Sequence, residues 1–330
     1  MKRLMAFLMM LVCLIVLGGC TTTENSNSED EGDYMDDYTL SVGLGGGALY
    51  HIVGRTRIQS MSYLIETPDG KIVMIDGGWG TIDQERAKQY LNMDRYIGGE
   101  DARYLYNLLA ERGKKVDLWL ITHAHSDHFS ALTDILDTDI EIGELRYDFP
   151  PMEWLERVEN GGSAPFIKDF LDKVEESGVK VGSLKKGENI SCGGVKIEVL
   201  TDAGNYARYD NINDTSCVLR VAFPKQDVLF LGDLGPVAGD DVLKEVPAEK
   251  LRCDIVQMAH HGQDGVSREF YEVVAPKICL YPAPDWLWDN NHAGMGKDTG
   301  PWKTLIVRGW MEELGVEQSI SDIHGDYRLR

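Results

Sequence analysis

The sequence predicts an α/β fold in which two β-sheets pack face to face with helices on the outside. Three observations carry this expectation. Short apolar runs bounded by turn residues recur along the chain, in the order strand-rich half, helix, strand-rich half, helix. The composition is globular, with 43% hydrophobic and 26% charged residues in a 330-residue chain, enough for one large domain. Thirty-five glycines supply the turns and close backbone approaches that sheet-rich folds use.

The elements follow in order. Lys2 and Arg3 precede an apolar run, Leu4 to Leu17, too short for an ordinary spanning helix. Leu17-Gly18-Gly19-Cys20 then resembles a bacterial lipoprotein signal, with cleavage before Cys20 and lipid on its thiol. A plain secretory signal or an uncleaved anchor is the alternative. Residues 1–19 are therefore expected to be removed, and 20–37, rich in Thr, Ser, Asn, Asp and Glu, to form an acidic tether. The expected location is outside the cytoplasm, at a membrane surface, held through Cys20. Residues 38–330 read as one domain, with no second linker and no internal repeat.

Within it, strands are expected over 61–67 and 71–75, joined by the turn Pro68-Asp69-Gly70. A helix is expected over 100–112, with Leu105, Leu108 and Leu109 on one face and Gly113 as its stop. A strand at 116–122 leads into a helix at 126–136, and a further helix spans 163–177. Strands follow at 195–200, 216–223, 228–231, 255–259 and 277–281, then a helix at 302–314. Cys192, Cys217, Cys253 and Cys279 lie mostly in or beside apolar runs, without Cys-x-x-Cys spacing. They read as buried small hydrophobes, not as a thiolate metal site.

The net charge of −21 argues against nonspecific nucleic-acid binding, because such a surface repels phosphate backbones at long range. It leaves room for a small anionic substrate, since a metal site supplies local positive charge. Gly43–Gly47 has neither the lysine nor the following helix of a phosphate loop.

The chemistry-bearing residues sit at strand ends. His123, His125, Asp127 and His128 fall within six residues, directly after an apolar strand, and use three of the eight histidines. Imidazole and carboxylate are ordinary ligands of zinc, and a tight turn can aim them at two neighbouring ions. Two later strands end in the same way, one in Gly232-Asp233 and the other in His260-His261-Gly262. Strand ends on one edge of a sheet converge, so the three clusters can meet. His260 and His261 are expected to point to opposite faces, so that one of them binds metal and the other orients it or protonates a leaving group.

The succession Asp76, His-x-His-x-Asp-His, Gly-Asp and His-His-Gly resembles the metallo-β-lactamase superfamily from about Tyr38 to the C-terminus. The resemblance implies a four-layer αββα sandwich with a dinuclear centre at one edge. It implies His123 and His125 on the first metal, Asp127, His128 and His261 on the second, and Asp233 bridging both. Asp76 would order the metal-bearing loop from behind. The usual third histidine of the first metal is missing, for no histidine occurs between 129 and 232. Asn213 or Asp214 is expected to substitute as an oxygen ligand, or water to fill the place. That element is similar to the branch holding ComEC-type hydrolase domains and choline-phosphate esterases.

The resemblance thus implies two divalent ions, zinc or manganese, that lower the pKa of a bridging water and favour phosphoester or phosphodiester hydrolysis. Asp127 would double as proton acceptor. Amide or lactone hydrolysis, and a metal-bearing binding lipoprotein without turnover, are the other readings. Trp286, Trp288 and His292 follow a strand that ends near the expected site. They either hold a cationic head group or pack on the core.

Overall fold

The computed structural model describes residues 38–91 and 97–330. The expected signal segment and acidic tether therefore lie outside the described residues. Among the described residues no helix is long and apolar enough to cross a membrane.

Short strands buried on both faces, most of them in the first half of the chain, form an eight-stranded sheet. Its order is Tyr38–Leu40, Tyr327–Leu329, Ala48–His51, Ser62–Glu66, Ile72–Asp76, Leu118–Leu120, Leu145–Arg146 and Val181–Gly182. The hairpin expected around Pro68 is present, with Ser62 opposite Asp76 and Gly70 in the left-handed region at φ 76°. A seven-stranded sheet follows: Asn189–Cys192, Val195–Val199, Leu219–Ala222, Asp227–Phe230, Ile255–Gln257, Ile278–Tyr281 and Gln318–Ser321. Both sheets are mixed, and the strands that deliver the histidines and Asp233 lie in parallel pairs.

Three apolar layers separate the four structural ones. Tyr63, Ile65, Val73, Ile75 and Leu120 meet Ile197, Leu219, Val228, Phe230 and Ile255 between the sheets. On the outer face of the first sheet, Leu64, Met74 and Trp119 pack against Leu105, Phe129, Ile167 and Phe170 of the helices Glu100–Ala110, Ser126–Ile135 and Ala164–Ser177. On the outer face of the second, Leu229, Val256 and Cys279 pack against Val242, Phe270, Val307 and Met311. Those come from the helices Pro236–Glu245, Arg268–Val274 and Thr304–Glu313. This is the αββα sandwich. The four cysteines are buried and unpaired.

Two expectations fail locally. The strand expected over 216–223 begins only at Leu219, because Asn213–Thr215 forms a 3-10 turn. The Cys217 N–H instead donates to the Thr122 carbonyl at 2.8 Å, stitching one sheet to the strand end that bears His123. The strand expected over 255–259 stops at Gln257. His260 and His261 then take left-handed conformations, with φ 50° and 55°, in a single 3-10 turn. Strand alternation therefore does not govern which of them faces the cluster; the turn does.

Candidate metal centre

The site is built outward from Asp76, the last residue of its strand, fully buried and at φ 56°. Its Oδ1 accepts the Thr122 N–H at 2.7 Å and its Oδ2 the Thr122 hydroxyl at 2.8 Å. Oδ2 also lies 2.7 Å from His128 Nδ1. Burial raises the Asp76 carboxyl pKa, and the facing His128 works the other way. A proton on His128 Nδ1 satisfies that contact and leaves Nε2 as a bare lone pair.

The helix Ser126–Ile135 starts immediately after His125, which occupies its N-cap position. Asp127 thus lies in the first turn, where the helix dipole favours a negative charge. His261 is oriented in the same manner as His128. Its Nδ1 lies 2.9 Å from the Pro282 carbonyl, and its Nε2 points at Asp127 Oδ2 (3.1 Å) and Asp233 Oδ2 (3.4 Å). Gly262, beside it at φ 77°, is required by packing, for a Cβ there would stand 2.1 Å from the Tyr281 ring.

Asp233 enters from the second sheet. Gln257 holds the preceding turn by accepting the Leu231 and Gly232 N–H groups, both at 2.8 Å. Gly232 adopts φ 55°, and a Cβ there would stand 3.0 Å from both the Ser216 and Thr122 hydroxyls. The close approach brings Asp233 Oδ1 to 3.4 Å from His128 Nε2 and its Oδ2 to 3.9 Å from His123 Nε2.

Two donor sets result: Asp127, His128, Asp233 and His261, and then His123, His125 and Asp233. Within each, one ligand atom per residue lies within 4.8 Å of the others. Asp233 is common to both. The sequence-derived set of six is thus brought together at the sheet edge.

The donor set fits divalent metal. His128 Nε2 and Asp233 Oδ1 are buried, face each other and have no hydrogen-bond partner. Burial favours uncharged groups here, yet Asp233 and Asp127 push the His261 pKa up to about 10. Against the same burial, His261 and His128 hold the Asp233 carboxyl well below the usual carboxylate range. Buried carboxylates with bare imidazole nitrogens among them demand positive charge, which a nitrogen- and oxygen-bound cation supplies. His123 is the converse case, for burial and the neighbouring His128 keep it neutral, the form in which imidazole is a ligand.

The remaining candidates are placed differently. Asp214 is excluded from the cluster: its Oδ1 accepts the Ala238 N–H (3.2 Å) in the first turn of the helix Pro236–Glu245, and its Oδ2 accepts from the Asn211 amide (2.8 Å). The backbone bend of the 213–215 turn spends that carboxylate on a helix terminus. Asn213 stays near, with its Nδ2 3.3 Å from His260 Nε2 and its Oδ1 buried without a partner. His260 is half-buried, and its Nδ1 lies 3.3 Å from the Asp264 carbonyl. Trp288 belongs to the core: its ring packs edge-on to Tyr281, and the cation over its face is Arg308, at 3.7 Å. Trp286 donates its indole N–H to the Arg57 carbonyl and packs edge-on to Trp302, which His292 also contacts.

The sequence did not single out Glu159, Thr122, Gln257 or Pro282, all of which touch the cluster residues or hold their backbone. Glu159 lies in Glu-Asn-Gly-Gly, which reads as a turn and carries no metal-ligand spacing.

Fold and cluster together give a four-layer αββα sandwich of the metallo-β-lactamase fold with a candidate dinuclear centre. Residues 55–194 match the family model described as the metallo-beta-lactamase superfamily, a stretch that contains His123–His128 and stops short of Asp233 and His261. Among solved structures, the chain is similar to CmlA, a diiron β-hydroxylase from Streptomyces venezuelae. The TM-score is 0.50 and the identity 15%, over 86% of this chain and 54% of that one. The chain thus spans about half the length of that hydroxylase. It is also similar to YhfI, a metallo-beta-lactamase fold protein from Bacillus subtilis, at TM-score 0.47 and 10% identity over 83% and 96% of the two chains. Unliganded yeast PDE1 aligns with TM-score 0.45 and 12% identity over 86% and 98%. No curated protein matches the chain in sequence.

Proposed function

We propose that the protein is a dinuclear metal-dependent hydrolase acting on phosphoesters or phosphodiesters. The observation that carries this is the pair of donor sets sharing Asp233, buried apart from the half-buried His125, with the bare His128 Nε2 and the unpaired Asp233 oxygen facing each other. Divalent ions held there supply water of lowered pKa and take up the negative charge that builds on the attacked phosphoryl group.

The chain's own residues do the rest. Asp76 and the Pro282 carbonyl hold His128 and His261 in one tautomer. Asp127, at the helix start and 3.1 Å from His261 through Oδ2, accepts the proton released by the attacking water. His260, half-buried beside Asn213, meets the leaving group. A cavity of about 400 Å³, whose lining includes Trp154, Arg157, Glu159, Asn160, Tyr209 and Asp210, is linked to the His123, His125 and Asp233 set through the Glu159 contact with His125. We assign it to the non-reacting part of a small or head-group substrate. The absence of a third histidine from the His123, His125 and Asp233 set supports phosphoester over amide or lactone chemistry and the likeness to ComEC-type domains and choline-phosphate esterases. Nucleic acid is excluded from this assignment on the net charge of −21.

The test is metal content together with a substrate panel. Purified protein is expected to hold two zinc or manganese ions per chain and to hydrolyse bis-p-nitrophenyl phosphate in preference to nitrocefin or a lactone. Fewer than one transition metal per chain would refute the proposal, and preference for the lactone would move it to the second chemistry. Asp127→Asn separates an enzyme from a binding protein, because it lowers turnover by about 10²–10⁴ in the first and leaves ligand binding in both. The extracytoplasmic, lipid-anchored setting is part of the same proposal. It is tested by palmitate labelling, which Cys20→Ala is expected to abolish.

A further inference from the structure

We propose that Glu159 is the positioning residue of the first metal, fixing His125 in the tautomer that presents Nδ1 to the centre and tying it to the turn that bears Asn213. This rests on the reading of His123 and His125 as ligands.

Three observations converge on Glu159. Its backbone is left-handed, with φ 51°, and Asn160 follows at 57°. Glycine takes that conformation without steric cost, and Gly161 and Gly162 stand directly after it. A glutamate in such a position is explained by its side chain, not by the bend. Both carboxylate oxygens are in use. Oε2 lies 2.9 Å from His125 Nε2, and Oε1 accepts the Ile212 N–H at 2.8 Å. The other nitrogen of His125, Nδ1, faces the cluster at 3.1 Å from His123 Nε2.

A proton on His125 Nε2, donated to Glu159, leaves Nδ1 bare toward the metal, the same arrangement that Asp76 imposes on His128. The second oxygen reaches the residue that opens the Asn213–Thr215 turn. There Asn213 Oδ1 is buried and unpaired, and its amide faces His260. One carboxylate therefore anchors a ligand and the loop that stands where the family's third histidine is missing. The second metal's set has its own supports, Asp76 and Pro282, so loss of Glu159 acts on one site of the two.

The experiment is equilibrium dialysis with zinc and titration with cobalt(II) of the full chain, comparing wild type with Glu159→Gly, Glu159→Ala and Glu159→Gln. Glycine removes the carboxylate while suiting φ 51°, so it separates the side chain from the backbone. Wild type is expected to bind two ions. Glu159→Gly is expected to keep one tight site and weaken the other by about 10–100-fold, with loss of that site's cobalt(II) absorption. Glu159→Ala should do the same, and Glu159→Gln, which keeps one acceptor oxygen, should fall between. The melting temperature of the metal-free Glu159→Gly protein should match wild type. Two unaltered sites with unaltered cobalt(II) spectra in the Gly and Ala variants overturn this inference alone. Equal weakening of both sites also overturns it, because it marks a general effect on folding. A wild type that binds fewer than two ions overturns the ligand reading and this inference with it.

Discussion

Asp76 works from a conformation in which aspartate and asparagine are enriched among residues with a Cβ, the left-handed region. Its neighbours explain why the acid and not the amide is needed. An Asp76→Asn amide directs one N–H₂ group at His128 Nδ1 or at the Thr122 donors, and the proton on His128 then moves to Nε2, facing Asp233. We expect Asp76→Asn to fold and to lose about 10–100-fold in affinity at the second metal. Calorimetric zinc titration checks this, and unchanged affinity would remove Asp76 from the site. Asp127→Asn should lower kcat by about 10²–10⁴ as the proton acceptor is lost, with substrate binding retained in inhibitor titrations. At Gly232 the constraint is steric. Alanine there meets two hydroxyls at 3.0 Å and a backbone at φ 55°, so Gly232→Ala should destabilise by about 1–3 kcal/mol in urea melts and displace Asp233.

At the level of elements, contiguous features were legible and non-contiguous ones were not. The His123–His128 cluster, Gly232-Asp233 and His260-His261 each declared themselves by following an apolar strand, a signal that needs no tertiary knowledge. The helix Pro236–Glu245 was hidden because its sequence carries a glycine and two successive aspartates, with only Ala238, Gly239, Asp241 and Val242 buried. Strands such as Leu145–Arg146 are two residues long, too short for any periodicity. The turns at 213–215 and 259–262 decided which of Asn213, Asp214, His260 and His261 face the cluster, and turns of this kind are fixed by tertiary contacts. Glu159 was invisible for the same reason, since its two partners lie 34 and 53 residues away. Trp288 belongs with these cases. Its rank in the short helix Asp285–Trp288 gave no hint that Arg308 already covers its face. Trp288→Ala should therefore cost about 3–5 kcal/mol of stability, while Trp288→Phe should leave KM for a cationic phosphoester near wild type. A large KM change in the phenylalanine variant would restore Trp288 to the substrate pocket.

For the whole molecule, the two sheets meet at the cluster. His123, Asp76 and the histidine-bearing helix belong to the first sheet's side, and Asp233 and His261 to the second's. Direct ties there include the Cys217-to-Thr122 hydrogen bond and the buried, mutually facing donors. Metal bound across these donors links both halves in the folded state and has no equivalent site in the unfolded chain. Removing it exposes carboxylates to one another within a protein that already carries a net charge of −21. Stabilisation by a ligand at about 100 times its Kd is about 2.7 kcal/mol for one site. Domains somewhat smaller than this one shift by about 2–4 °C per kcal/mol. The shift per kcal/mol falls with size, so exhaustive chelation should lower Tm by roughly 4–5 °C for each tightly bound ion, with recovery on adding zinc back. Scanning calorimetry of chelated and reloaded protein reads this directly. Asp233→Asn, which weakens the group common to both sets, should abolish most of the difference between the two scans. Equal Tm values for the chelated and reloaded wild type would show that the sheets are held at this edge by packing alone.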